Sequence, residues 1–120
     1  MYLVQELMQT DLHVTLNDGT GLSNGQIRDI LLQLLSGLSA IHRADIIHTN
    51  LEPSSILLNK KNGNEFHLKI CNFEFALSSN TGYDKTRLPP SATEYVAPEI
   101  THECEGYSKV LQILSRCELH

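Results

Sequence analysis

The stretch His48-Thr49-Asn50-Leu51-Glu52-Pro53-Ser54-Ser55-Ile56-Leu57-Leu58-Asn59 lies between a helical pattern and a hairpin pattern, and these two neighbours decide the fold class. Upstream, Ser23-Asn24-Gly25-Gln26 fits a capping box, with a hydroxyl at the N-cap and an amide three residues later. Ile27, Ile30, Leu31, Leu34, Leu35, Leu38 and Ile41 then fall on one stripe, which predicts an amphipathic helix over 23–42. Gly37 within it costs about 1 kcal/mol against Ala and points to close approach by a neighbour. Downstream, Lys60-Lys61-Asn62-Gly63-Asn64 is a turn signal, and Phe66, Leu68 and Ile70 alternate with His67 and Lys69. A hairpin over 56–71 follows. Ile46-Ile47 is a further β-prone piece, and the apolar run from Met1 to Gln5 predicts a leading strand. Asn17 to Gly21 reads as a loop, and Ser78 to Pro90 as a longer one. Strand, helix, hairpin, long loop and a helical tail make an α+β chain.

The chain has 120 residues, 41% hydrophobic and 19% charged, which suits one globular domain rather than disorder. Nine Lys and Arg against fourteen Asp and Glu give a net charge of −5. That balance argues against nucleic acid and against an anionic membrane surface as partners. The longest mostly apolar stretch, Ile27 to Ile41, is broken by Arg28, Asp29, Gln33 and Ser36, so no bilayer span is expected. No charged n-region precedes an apolar core at the N-terminus, and no secretory signal is expected. Cys71, Cys104 and Cys117 match no disulfide framework and favour a reducing compartment, cytoplasmic or nuclear.

Two further motifs follow the opening stretch: Leu68-Lys69-Ile70-Cys71-Asn72-Phe73-Glu74 and Ala97-Pro98-Glu99. In this order the three resemble the catalytic loop H-R-D-L-K-P-x-N, the metal-binding D-F-G and the closing A-P-E of protein kinases. Tyr2-Leu3-Val4-Gln5-Glu6-Leu7-Met8-Gln9-Thr10-Asp11-Leu12 resembles the hinge of a mitogen-activated protein kinase, of the extracellular-signal-regulated or Nemo-like branch. Leu22-Ser23-Asn24 and Gln33-Leu34-Leu35-Ser36-Gly37-Leu38 fit the helix of that family, and Thr93-Glu94-Tyr95-Val96-Ala97 fits its dual-phosphorylation lip. The resemblance implies a partial kinase fold, made of the hinge strand and the upper half of the large lobe. Residues 1–12 would be the hinge, 46–59 the catalytic loop, 72–99 the activation segment and 100–120 a diverged tail. The Gly-rich loop, the V-A-I-K lysine and its glutamate partner are expected to fall outside the matched region.

The same resemblance implies a family activity, Ser/Thr phosphorylation with ATP and Mg²⁺, and shows where this sequence departs from it. The proton-accepting aspartate is Asn50, the phosphate-contacting lysine is Glu52, and the asparagine of the second magnesium is Ser55. The D-F-G aspartate, a magnesium ligand in the family, is Asn72, and its glycine is Glu74. Thr49 replaces the arginine that reads a phosphorylated lip, and Gln112 the aspartate that anchors the catalytic loop from below. A neutral amide is no base near pH 7, and a carboxylate repels phosphate. No cofactor is therefore expected. The expectation is a degenerate pseudokinase or kinase remnant that works, if at all, by protein binding. An active kinase completed by a longer chain and a fragment of a decayed gene copy are the alternatives.

At the nucleotide end the resemblance assigns Gln5 to the gatekeeper position, Glu6, Met8 and Asp11 to the hinge, and Leu57 to the adenine floor. Thr93 and Tyr95 are candidate phosphorylation sites, with an upstream MAP kinase kinase or another component of that pathway as the expected partner. Against the family, either this lip has lost six residues before Pro98-Glu99, or Tyr95 aligns with the family's tyrosine just before A-P-E. His48 is expected to be a packing and hydrogen-bonding residue, and Cys71 an inert thiol. His102-x-Cys104 and Cys117-x-x-His120 offer zinc-type ligands, but H-x-C spacing rarely lets both reach one metal. A helix stripe short of packing partners predicts a marginal domain prone to self-association.

Overall fold

The computed structural model describes residues 1–63, 65–78 and 95. They form two compact units, Met1–Gly37 with Pro53–Cys71, and Leu38–Glu52 with the described residues from Asn72 onward. The predicted lip residue Thr93, the Ala97-Pro98-Glu99 motif, Gln112, the tail and its His and Cys residues lie outside the described residues. Tyr95 is described, partly buried in a single 3-10 turn position.

The first unit is built on a three-stranded antiparallel sheet in the order β1 (Thr10–Asp11), β3 (Ile56–Lys60), β4 (Phe66–Ile70). β3 and β4 are the hairpin that the turn chemistry indicates, with Ile56 opposite Ile70, Leu58 opposite Leu68 and Lys60 opposite Phe66. Ile56, Leu58, Phe66 and Leu68 are buried and Lys69 is exposed, so the period of two separates a core face from a wet one. Leu77–Ser78, at the start of the predicted loop, is itself a short strand, β5.

The leading strand is displaced from its expected place. Met1 to Gln5 forms no strand, and Met1, Tyr2, Leu3, Val4 and Leu7 are all exposed. Apolar composition favours a strand, but a strand forms only where its N–H and C=O groups meet a neighbour. In this unit the neighbour is β3, and it reaches only Thr10 and Asp11. Just before them, Gln9 continues the ladder with its side chain: Lys60 N–H donates to Gln9 Oε1 at 2.9 Å, and Gln9 N–H donates to Asn59 Oδ1 at 2.6 Å. Asp11 then caps a six-residue helix, α1 (Leu12–Asn17), which packs on β3 and on the 3-10 turn Pro53–Ser55.

The long helix, α2, runs Asn24–Arg43. Its start is fixed by both halves of the capping box, Gln26 N–H to Ser23 Oγ at 3.2 Å and Ser23 N–H to Gln26 Oε1 at 2.9 Å. His42 and Arg43 in the last turn suit the negative end of the helix dipole. Ile30 and Leu38 are buried, whereas Ile27, Leu31 and Leu35 keep between 42% and 49% of their surface exposed. The stripe is therefore only partly used. At Gly37 the helix lies against Ile70 of β4: a Cβ built there would lie 3.0 Å from Ile70 Cδ1. No helix among the described residues is long and apolar enough to cross a membrane.

The second unit is tied by β2 (Ile46–Ile47), which pairs antiparallel with β5, Ile46 opposite Ser78 and Ile47 opposite Leu77.

Candidate functional site

The β2–β5 pair sets residues 48–52 of the candidate catalytic loop beside the segment that starts at Asn72. His48 is completely buried. Its Nδ1 accepts from Asn50 N–H at 3.2 Å, and its ring meets Phe73 edge-on with centroids 4.8 Å apart. That geometry is the packing and hydrogen-bonding role expected of it. Thr49 is also buried, with φ at 69°, and its hydroxyl donates to the Phe75 carbonyl at 2.9 Å. A β-branched residue seldom adopts a left-handed backbone, so the surrounding contacts hold Thr49 against strain. Asn72 is left-handed too, with φ at 63°, a conformation Asn tolerates well. Ala76 N–H then donates to Phe73 C=O at 2.9 Å and closes a turn.

Within this frame Asn50, Glu52 and Asn72 are partly buried, while Phe73 and Glu74 are exposed. Neutral amides occupy both positions, Asn50 and Asn72, where the resemblance implies carboxylates. The one formal charge in the loop is Glu52, and it is negative.

In the other unit, Ser55 is completely buried at the end of the 3-10 turn, and its carbonyl accepts from Cys71 N–H at 2.8 Å. Cys71 is a free thiol, partly buried. The residues assigned to the adenine end come together here. Gln5, Glu6, Met8, Asp11 and Leu57 line one open cleft of about 590 Å³, with Leu7, Gln9, Thr10 and Val14 completing it. Asp11 is already engaged, since Val14 N–H donates to its Oδ1 at 2.8 Å. Glu6 pairs with Lys69 at 3.7 Å, and both side chains are about half exposed, so water screens the pair. Among the described residues no group of three or more His, Cys, Asp or Glu is placed to hold a metal ion.

The family model for the protein kinase domain matches residues 1–116. The chain belongs to the protein kinase family. Within the family it is similar to mitogen-activated protein kinases. It is 38% identical over 115 residues to mitogen-activated protein kinase 2 of Arabidopsis thaliana, covering 96% of this chain and 30% of that protein. It is 35% identical over 123 residues to mitogen-activated protein kinase SLT2/MPK1 of Saccharomyces cerevisiae, covering 96% and 24%. The chain thus spans less than a third of the length of these relatives. Among solved structures, a chain of the yeast RNA Pol II CTD kinase CTDK-1 complex aligns with a TM-score of 0.77 and 27% identity, over 95% of this chain and 36% of that one. The architecture is a partial kinase fold of mixed helix and sheet.

Two structural features of this kinase-family chain have no counterpart in the sequence reading. The Thr49 hydroxyl holds the segment that starts at Asn72 through a residue 26 positions away. Gln9 ties the residues before β1 to β3 through side-chain bonds spanning about fifty positions. Neither has a local sequence signal, because each bond depends on a distant partner.

Proposed function

We propose that this chain is a MAP-kinase-like pseudokinase that does not transfer phosphate and acts by protein binding. The observation that carries this reading is the set of residues at the kinase positions, Asn50, Glu52, Ser55 and Asn72. Phosphoryl transfer relies on positioning and electrostatics, with little covalent work by the protein. Mg²⁺ takes carboxylate oxygens in such sites, and Asn72 and Ser55 offer only neutral ones. The donor set does not fit the magnesium nucleotide, and no catalytic step is derived through it.

Protein binding is the activity left to such a fold. A kinase solved in a complex is among the structural relatives, which supports a protein partner. The surviving Thr93-Glu94-Tyr95 suits an upstream dual-specificity kinase as that partner, in the cytoplasm or nucleus. Two measurements test the reading. Mg-ATP is expected to give no thermal shift and no labelled phosphate on a generic Ser/Thr substrate; a magnesium-dependent shift or transfer overturns it. Incubation with a MAP kinase kinase is expected to place phosphate on Thr93 or Tyr95, and mass spectrometry showing none rejects that partner. Cooperative unfolding of the purified chain is expected of a selected domain and not of a decayed fragment.

A further inference from the structure

Three dipeptides in the first unit carry an Asn or Asp followed by Gly: Asp18-Gly19, Asn24-Gly25 and Asn62-Gly63. All three are open to attack by the glycine nitrogen on the preceding side-chain carbonyl, since glycine has no side chain to hinder it. The structure treats them differently. We propose that Asn62 is a site of spontaneous deamidation in this chain, while Asn24 and Asp18 are protected by their local structure.

Asn24 opens α2 and lies directly between the capping-box residues Ser23 and Gln26. Ring closure through Gly25 N requires ψ of Asn24 to leave its helical value, about −42°. That motion breaks the first turn, which also carries the Ile27 N–H to Ser23 C=O bond at 3.0 Å. Asp18 is restrained in another way. Its Oδ1 accepts from Thr20 Oγ1 at 2.6 Å and from Thr20 N–H at 2.9 Å, and swinging the carboxyl onto Gly19 N breaks both bonds. The same bonds hold the carboxyl in its ionised form, which is a poor electrophile.

Asn62 has none of these restraints. It is exposed in the β3–β4 turn, and among the described residues no hydrogen bond holds its side chain. Gly63 has φ at 79°, with open space around it. In the reaction, Gly63 N loses its proton to hydroxide and bonds to Asn62 Cγ as the Cγ–Nδ2 bond breaks. Ammonia leaves with a proton taken from water. Water then opens the succinimide at either carbonyl, giving an aspartate or an isoaspartate, with no oxidation or reduction. The product adds one negative charge beside Lys60 and Lys61. The isoaspartate form also lengthens the main chain inside the turn that Lys61 N–H closes on Glu65 C=O at 2.9 Å.

The test is to incubate the whole chain at mildly alkaline pH and follow each site by peptide mapping and tandem mass spectrometry. Asn62 is expected to convert at least about tenfold faster than Asn24, the rate equivalent of roughly 1.4 kcal/mol in barrier, with Asp18 unchanged. In concentrated denaturant the two asparagines are expected to convert at similar rates. Equal rates in the folded chain, no conversion at Asn62, or a gap that persists in denaturant each overturns the proposal.

Discussion

The side-chain amide of Gln33 pairs with the backbone of Leu68: Leu68 N–H donates to Gln33 Oε1 at 3.0 Å. The other end of the same amide donates to the Phe66 carbonyl at 2.7 Å, and Asp29 Oδ2 accepts from Gln33 Nε2 at 3.1 Å and from Phe66 N–H at 3.4 Å. One glutamine thus acts as a next strand for the outer edge of β4, whose backbone groups otherwise invite another chain. Gln33→Leu leaves Leu68 N–H and Phe66 C=O without these partners, and is expected to cost about 1–3 kcal/mol in urea unfolding. Gln33→Glu keeps the acceptor, loses the donor and faces Asp29 with a like charge. Its loss of stability is expected to shrink as the pH falls and the introduced carboxylate protonates.

Gly37 and Ile70 form a tight contact of the opposite chemical kind. Alanine at 37 gains about 1 kcal/mol of helix propensity, offset by pushing on the end of a flexible side chain. Gly37→Ala alone is therefore expected to change stability by less than about 1 kcal/mol, and Ile70→Val alone to cost about 0.5–1.5. Combined, they are expected to be more stable than the sum of the two, since valine removes the methyl that alanine meets. Strict additivity in the double-mutant cycle rules out this contact as the reason for glycine.

Thr49 combines a costly backbone with a useful hydroxyl. Thr49→Val keeps the strain and loses the bond to Phe75, an expected loss of about 0.5–1.5 kcal/mol. Thr49→Ser keeps the bond without the branched carbon and is expected to be neutral or slightly stabilising. Amide exchange over residues 72–78 separates the two variants, because only the valine variant is expected to exchange faster there.

Local chemistry explains which parts of the fold are legible in sequence. The extent of α2 follows from a capping box and a stripe of period 3.6, both encoded within a few residues of where they act. The β3–β4 hairpin follows from Asn62-Gly63 and an alternation around it. The expected strand at Met1 to Gln5 was misplaced because pairing depends on a neighbour in space, and β3 reaches only Thr10 and Asp11. The edge-sealing role of Gln33 was hidden for the same reason, with partners more than thirty positions away. At the site, the motif resemblance assigns residues to the hinge and loop, and the structure shows only that Glu6, Met8, Asp11 and Leu57 line one open cleft. The left-handed turn at Thr49 is set by packing and leaves no mark in the motif.

Asp18 gives a pH-dependent reading of the loop before α2. Hydrogen bonds from the Thr20 side chain, and then from its backbone, hold the carboxyl below its ordinary value of 3.8. A depressed carboxyl contributes stability that is full above the unfolded value and is lost as the pH falls through the folded one. The loop is therefore expected to loosen only in acid, below pH 3.8. Thr20→Val keeps the backbone donor and loses the hydroxyl, so NMR titration of Asp18 is expected to move part of the way back. An unchanged midpoint rules out the Thr20 hydroxyl as the cause.

The charge at Glu52 gives the sharpest test of why nucleotide binding is expected to fail. The resemblance assigns this position to phosphate contact. A carboxylate about 4 Å from one phosphate charge is repelled by roughly 4 kcal/mol at an effective dielectric near 20. Glu52→Lys turns repulsion into attraction, so the full swing is about twice that, reduced by solvent and by side-chain motion. Even a third of it is worth on the order of a hundredfold in affinity. ATP is therefore expected to bind the Glu52→Lys variant far more tightly than the parent chain, while adenosine, which lacks phosphate, binds both alike. Phosphotransfer is expected to stay absent in this variant and in Asn50→Asp, because a lysine or a lone base leaves Asn72 and Ser55 without a carboxylate for magnesium. Equal gains for adenosine and ATP in isothermal titration point to a repacked cleft instead of a removed repulsion, and transfer of phosphate by Asn50→Asp alone overturns the metal argument.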